Sequence, residues 1–387
     1  MAEYNIEHYL EAARGLATRV AANADRIDSE RRIPPDLAGA LADQGLFKLL
    51  VPHSLGGAEM DLPDFLRVIE VFACADASTA WCLSQNNVFA THAVRIPEPT
   101  AREIWGDGRA VVSNGPPTSA AKAVPVEGGY KLSGHWDFSS GSGHATWVAA
   151  LTPVADSEKG LDRSMARRNP LTMLIPKQEV NFLDLWEVNG LRGTGSFSFE
   201  VEDLFVPDLR AFSANDTPWE TGSLYIIPRT LLFGSGNATV ALGVAQASLT
   251  TVLKLIGSSS PSRPATLLPD RSANHRVIGE AEAIWRSARA FLRESALAVW
   301  EEACDSHLPP AEDRLRLRLA ITHAITMSAR VVEMAYSLCG SSAIFAGNPI
   351  QRLFQDMHVI TQHIQGRATH YETAGQFLLG LNPEGSY

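Results

Sequence analysis

The stretch Leu132-Ser133-Gly134-His135-Trp136-Asp137-Phe138-Ser139-Ser140-Gly141-Ser142-Gly143-His144-Ala145-Thr146-Trp147 gathers the densest set of groups able to do chemistry in this chain. Leu132, Trp136 and Phe138 alternate with small or polar residues, which is the pattern of a strand. The strand then breaks into Ser139-Ser140-Gly141-Ser142-Gly143, where no regular element persists. Such a break frees backbone N–H groups and hydroxyls to bond something flat and polar, while Trp136 and Trp147 wall off water. The simpler alternative is a strand that ends in a serine turn. A second group lies earlier: Trp81, Phe89 and His92, on a segment leading towards the central region and placed to line a pocket. His92 alone reads equally well as a structural histidine with its hydrogen bonds satisfied.

Several other chemistries are disfavoured. Cys74, Cys82, Cys304 and Cys339 are scattered without metal-ligand spacing, so no metal centre is expected and the thiols read as reduced. Asn189-Gly190-Leu191-Arg192-Gly193-Thr194-Gly195-Ser196 is glycine-rich, but it lacks the strand–turn–helix setting of a phosphate-cradling loop and reads as a tight corner between strands. The net charge of −10 argues against nucleic acid or an anionic membrane as the main partner. No apolar run is expected to span a bilayer. The N-terminus lacks the basic start and apolar core of a signal peptide, so a cytoplasmic location is expected.

These residues need a scaffold, and its outline follows the change in hydrophobic period. Residues 1–110 read as helices: from Ile6 to Val20, from Asp36 to Gln44 behind Pro34-Pro35, from Leu62-Pro63 onward, and from an Asp76 cap through Trp81 towards His92. Residues 111–212 read as a β-domain. Its strands lie near Val111–Ser113, Ala123–Val126, Tyr130–Leu132, Trp147–Leu151, Leu171–Ile175 and Ser196–Val201, with a hairpin turn at Glu127-Gly128-Gly129 and a surface loop over 155–170. Residues 213–387 return to helices, near Thr230–Leu255, His275–Glu302, Ala311–Leu338 and Pro349–Leu379. Long helices with short connections predict an antiparallel four-helix bundle. The fold class is therefore α+β. Trp81, Phe89, Trp219, Tyr225 and Phe233 offer an apolar substrate pocket, with Ala214 to Gly222 as a lid.

Helices, β-domain and bundle in this order resemble the acyl-CoA dehydrogenase fold over nearly the whole chain. Leu50-Val51-Pro52 with Gly56-Gly57, Asp76-Ala77-Ser78, and Gly190-Leu191-Arg192-Gly193-Thr194-Gly195-Ser196 followed by Val206-Pro207 carry the likeness. Two further stretches resemble the oxygenase components of two-component flavin-dependent monooxygenases. One is Trp136-Asp137-Phe138-Ser139-Ser140-Gly141. The other runs from Ser341-Ser342-Ala343-Ile344-Phe345 through Asn348-Pro349-Ile350-Gln351-Arg352 and Asp356 to Thr361-Gln362-His363-Ile364.

The resemblance implies that Trp136, Phe138, Ser139, Ser140 and Gly141 lie beside a flavin ring. Ser140 would bond near its N5, with Ser139 or Ser142 as alternatives, and His363 would face its reactive edge. It also implies that Arg263, Gly340 and Ser341 reach the flavin phosphates of a neighbouring subunit in a homotetramer, and that Trp81, His92 and Ser113 serve the substrate. The implied cofactor is reduced flavin, FADH2 or FMNH2, delivered by a separate NAD(P)H-dependent reductase. It reacts with O2 through a C4a-hydroperoxide to hydroxylate a small aromatic or heteroaromatic substrate, in a site that excludes water. The alternatives are an acyl-CoA dehydrogenase or oxidase and a non-catalytic flavin-binding subunit. A dehydrogenase needs a positioned carboxylate as base. No Asp or Glu lies between Asp356 and Glu372, and a histidine, His363, stands there instead.

Overall fold

The computed structural model describes residues 4–155, 170–257, 272–305 and 307–387. Most of the expected 155–170 loop, the Ser258–Pro264 interruption and Arg263 lie outside the described residues. Six helices come first: α1 (Ile6–Ala22), α2 (Ala24–Glu30), α3 (Pro35–Asp43), α4 (Leu62–Ala73), α5 (Ala77–Ala90) and α6 (Glu98–Trp105). Local chemistry sets their starts. Pro35 opens α3, and the Asp76 carboxylate accepts the Thr79 N–H at 2.7 Å to cap α5. Helix α4 buries Phe65, Val68, Ile69 and Phe72. Helix α5 is buried on every side, although it carries Gln85, Asn86 and Asn87 in succession. Buried amides must find partners, and these three tie α5 to its neighbours.

Among the described residues eight strands follow: β1 (Val112–Gly115), β2 (Lys122–Val126), β3 (Gly129–Ser139), β4 (Trp147–Thr152), β5 (Leu171–Pro176), β6 (Asn181–Leu183), β7 (Phe197–Pro207) and β8 (Ala211–Ser213). They form two four-stranded sheets, ordered β1-β4-β5-β8 and β2-β3-β7-β6. The β1–β4 pair is parallel and the other pairs are antiparallel. Leu132, Trp136, Val148, Met173, Ile175 and Phe199 fill the space between the sheets. The other face of the first sheet packs Val112, Ala149, Leu174 and Phe212 against Phe89, Ile104 and Trp105.

The register of β3 against β7 decides where its side chains go. Trp136 pairs with Phe199, but the next pair is Ser139 with Phe197. Three steps on β3 therefore oppose two on β7, and the extra residue is a bulge. Phe138 sits in it with φ +58° and is 62% exposed. Strict alternation would have sent Phe138 inward beside Leu132 and Trp136; the bulge turns it out and sends Ser139 in.

The C-terminal part begins with the short helix α7 (Ser223–Ile226), then α8 (Arg229–Gly257), α9 (Ser272–Cys304), α10 (Ala311–Cys339), α11 (Pro349–Gln362) and α12 (Thr369–Leu378). Helices α8 to α11 pack as a bundle, and α8 also packs on α4 and α5. Helix α8, over Arg229–Ile256, is long and apolar enough to cross a membrane, against the expectation that no run would be; 61% of its most apolar window is buried in the protein. The expected single helix from Pro349 to Leu379 is broken. It stops at Gln362, His363 takes the extended conformation (φ −69°, ψ 146°), and a 3-10 turn, Ile364–Gly366, follows before α12. The break matters because it places His363 at a helix end, where its ring is free of the i−4 row.

Close approach of α8 to α4 needs glycine. A Cβ at Gly243 would lie 2.2 Å from the Ala73 Cβ and 2.9 Å from its Cα. Gly243→Ala is expected to destabilise the fold by roughly 1–3 kcal/mol, read as a thermal unfolding midpoint several degrees lower. An unchanged midpoint would show that the two helices can separate freely.

Candidate active site

Three elements converge: the Phe138–Gly141 break after β3, the face of α5, and the end of α11. The Trp81 indole N–H on α5 donates to Ser140 Oγ at 3.2 Å, and the Trp81 ring meets the His363 ring edge-on at 5.2 Å. Ser140 and His363 thus share Trp81 as a neighbour. Ser140 Oγ also bonds Ser196 Oγ at 2.8 Å, which bonds Thr194 Oγ1 at 2.8 Å, and Thr194 donates to the Leu191 carbonyl at 2.8 Å. With the Thr194 proton spent on that carbonyl, each hydroxyl donates to the next, and Ser140 is a donor at the head of the row.

Asn86 of α5 fixes the turn itself. Its Nδ2 donates to the Val112 and Ser140 carbonyls at 3.1 and 3.3 Å. Gly141 has φ +81°, and a Cβ there would sit 2.6 Å from Asn86 Oδ1. Glycine is needed on both counts.

His363 is held from its Nδ1 side. Asn237 Nδ2 lies 3.0 Å away and the Gln365 backbone N–H donates at 3.4 Å. A backbone N–H can only donate, so Nδ1 is an acceptor and the ring proton is on Nε2. Asn237 is fully buried, and its Oδ1 accepts from Gln85 Nε2 at 2.7 Å, which fixes its amide orientation. Burial, aided by the charge on Arg367, lowers the His363 pKa to about 4. The ring is therefore neutral at physiological pH. The fold correspondingly loses stability as pH falls from the ordinary histidine value through 4, because the unfolded chain takes up the proton first.

The expected residues divide. Ser140, Gly141, Phe138, Trp81 and His363 come together. Trp136 does not join them: it is fully buried between the sheets, stacked on Phe199 at 5.2 Å, with its N–H donated to the Leu151 carbonyl. Phe138 is the exposed ring, and it meets the edge of Trp186. Trp147 lies apart under Arg210. Ser139 and Ser113 are fully buried, and the Ser139 hydroxyl donates to Ser113 at 3.0 Å, which supports the turn. Ser142 donates to the Gly195 carbonyl. Gly340 and Ser341 form a 3-10 turn next to a cluster of Val252, Cys339 and Ile350, about 20 Å along α8 from Asn237. They cannot reach the His363 site of their own chain. His92 is buried against Phe89 and Phe212, and its Nδ1 faces Arg229 at 3.1 Å.

Sequence reasoning missed Gln85, Asn237 and Ser196. The signal for the first two was present: amides inside otherwise apolar helices. The glycine-rich corner is also more than a turn. The Leu191 N–H donates to the Asp356 carboxyl at 2.6 Å, tying α11 to the sheet, and burial pushes that carboxyl up to about 7.

A helical domain, a β-domain and a helix bundle in this order, with no carboxylate acting on His363 among the described residues, set the frame for the comparisons. Residues 6–105 match the acyl-CoA dehydrogenase N-terminal domain and residues 235–367 its C-terminal domain. The chain is 30% identical to indole-3-acetate monooxygenase of Pseudomonas putida, over 95% of this chain and 93% of that one. It is 25% identical to the oxygenase component of the FADH2-dependent resorcinol hydroxylase of Rhizobium sp., over 96% and 94%. The crystal structure of the HsaA monooxygenase from M. tuberculosis superposes with a TM-score of 0.87 at 26% identity, covering 99% of both chains. The chain belongs to the flavin-dependent monooxygenases of the acyl-CoA dehydrogenase fold.

The tautomer of His363 yields a test. Asn237→Asp replaces a donor to Nδ1 by an acceptor and adds a negative charge, so the imidazole pKa must rise. Activity that uses neutral His363 is then expected to fall on the acid side at a higher pH than in the parent. A parental pH profile in a folded Asn237→Asp protein would show that Asn237 does not set the state of this ring.

Proposed function

We propose that this chain is the oxygenase component of a two-component system that hydroxylates a small aromatic compound with O2 and reduced flavin. A separate NAD(P)H-dependent reductase would supply the flavin as FADH2 or FMNH2. The observation that carries the reading is the junction of Ser140 and His363 across Trp81, with no carboxylate acting on His363 among the described residues. The nearest acid before it in the chain, Asp356, is buried and bonded to the Leu191 N–H, which speaks against a dehydrogenase base there.

The residues fit a flavin. Phe138 holds a large apolar ring out of the protein in a left-handed conformation, beside a hydroxyl donor and a glycine turn. Phe138, edge-on to Trp186, offers a flat partner an apolar face beside these polar groups. When bound, reduced flavin supplies the two electrons that split O2 into the inserted oxygen atom and water. Phe138 would cover the bound ring against water, and the Ser140 hydroxyl, bonded here to Ser196, would be available to bond it. His363, neutral with its one proton on Nε2, would donate a hydrogen bond from that nitrogen to the reacting oxygen and keep the proton. Trp81, Phe89 and Phe233 give the aromatic substrate an apolar seat. Exposed Ile344 and Phe345, beside Gly340 and Ser341, support a homotetramer in which this turn, with Arg263, reaches a neighbour's flavin.

Reduced FMN or FAD generated by an unrelated reductase, with 18O2 and a panel of phenols and indoles, tests this. One labelled oxygen is expected in the product. Ser140→Ala and His363→Ala are expected to divert at least tenfold more of the O2 into hydrogen peroxide. No labelled product with any compound, together with flavin bleaching by an acyl-CoA, would replace this reading with the dehydrogenase.

A further inference from the structure

Helices α5 and α8 pack side by side and meet at two levels. At one level Gln85 bonds Asn237, which holds His363. At the other His92 bonds Arg229. Gln85 and His92, which lies two residues past the end of α5, are seven residues apart, and Arg229 and Asn237 on α8 are eight apart, so the levels lie about 10–12 Å apart. Phe89 and Phe233 fall between them on the same faces, four residues after Gln85 and four before Asn237.

The second level is cationic. Arg229 NH1 contacts His92 Nδ1 at 3.1 Å and donates to the Ala214 carbonyl at 3.2 Å. His92 accepts here, so it is neutral, and burial together with Arg229 and Arg95 holds its pKa well below the usual value. Arg95 donates to the Tyr225 carbonyl at 3.1 Å, and its Nε is buried without a partner. Neither arginine forms an ion pair among the described residues. Tyr225 and the carboxylate of Asp216 act on Arg95, and Asp216 is an exposed residue already bonded to the Ser213 N–H. Burial and mutual repulsion lower the Arg229 pKa to about 10. Two neighbouring half-buried guanidiniums, with the exposed Asp216 the one carboxylate acting on Arg95, repel each other, and an anion joining them would relieve that cost. The 214–222 segment lies against this place, pinned where the Trp219 indole donates to the Ile96 carbonyl at 2.8 Å.

We propose that Arg95 and Arg229 bind the carboxylate of an aromatic acid whose ring lies between Phe89 and Phe233 and whose oxidised carbon faces His363. This rests on the monooxygenase reading and narrows it to arylalkanoate substrates. The bidentate geometry of guanidinium with carboxylate suits the task. His92 acts as a positioning residue: it accepts from Arg229 and keeps that side chain aimed.

The test compares an acid with its neutral isostere. Indole-3-acetate and phenylacetate are offered beside the corresponding acetamides. The parent is expected to prefer each acid in kcat/KM by at least tenfold. Arg229→Met and, as a second route should that variant misfold, Arg95→Met are expected to cut this preference ten- to a hundredfold, chiefly through KM. Arg229→Lys should restore part of it. Equal use of acid and amide by the parent, or an unchanged preference in folded variants, overturns the proposal. Binding of the same pairs without flavin, followed by tryptophan fluorescence, separates the two readings. Tighter binding of the acid without turnover removes the monooxygenase reading alone; equal binding removes the anion site.

Discussion

One buried amide, Asn237, holds the site together. Its oxygen accepts from Gln85 on α5 and its nitrogen donates to His363 at the end of α11. Neither helix end could settle independently, because an orphaned amide in this interior costs about 1–3 kcal/mol. Three elements distant in sequence are thus locked by two hydrogen bonds, and the lock also selects which imidazole nitrogen carries the proton. Structure and reactivity depend here on the same pair of contacts.

Around that lock the architecture divides its labour. The β-sandwich supplies a rigid rim, from which the bulge in β3 projects Phe138 and presents Ser140. The bundle supplies His363, and α8, packed on α4, α5, α10 and α11, joins bundle to N-terminal helices. Small residues on α8, such as Gly243 against Ala73, bring the backbones close enough for short polar side chains to bridge them.

Much of this was legible in the sequence. The order of helix, strand and helix follows from the change of period, and the Asp76 cap and the Glu127-Gly128 hairpin follow from local chemistry. The resemblance pointed to His363 and the serine turn. What local pattern could not supply was register. Trp136 and Phe138 share a parity, and only the slip against Phe197 and Phe199 on β7 sends one inward and the other out. The stop of α11 at Gln362 was hidden because the apolar pattern continues past it. The Gln85–Asn237 and His92–Arg229 pairs span 152 and 137 residues, so no window on the chain shows them together.

The left-handed backbone at Phe138 has a bearing on engineering. A residue with a Cβ is uncomfortable at φ +58°, at a cost on the order of 1 kcal/mol. Glycine would relax it, and a stability screen would reward the exchange. The same exchange would remove the exposed ring to which the proposed function assigns the covering of the flavin. If Phe138 serves the flavin as proposed, selection for thermal tolerance and selection for controlled use of oxygen pull this one codon in opposite directions.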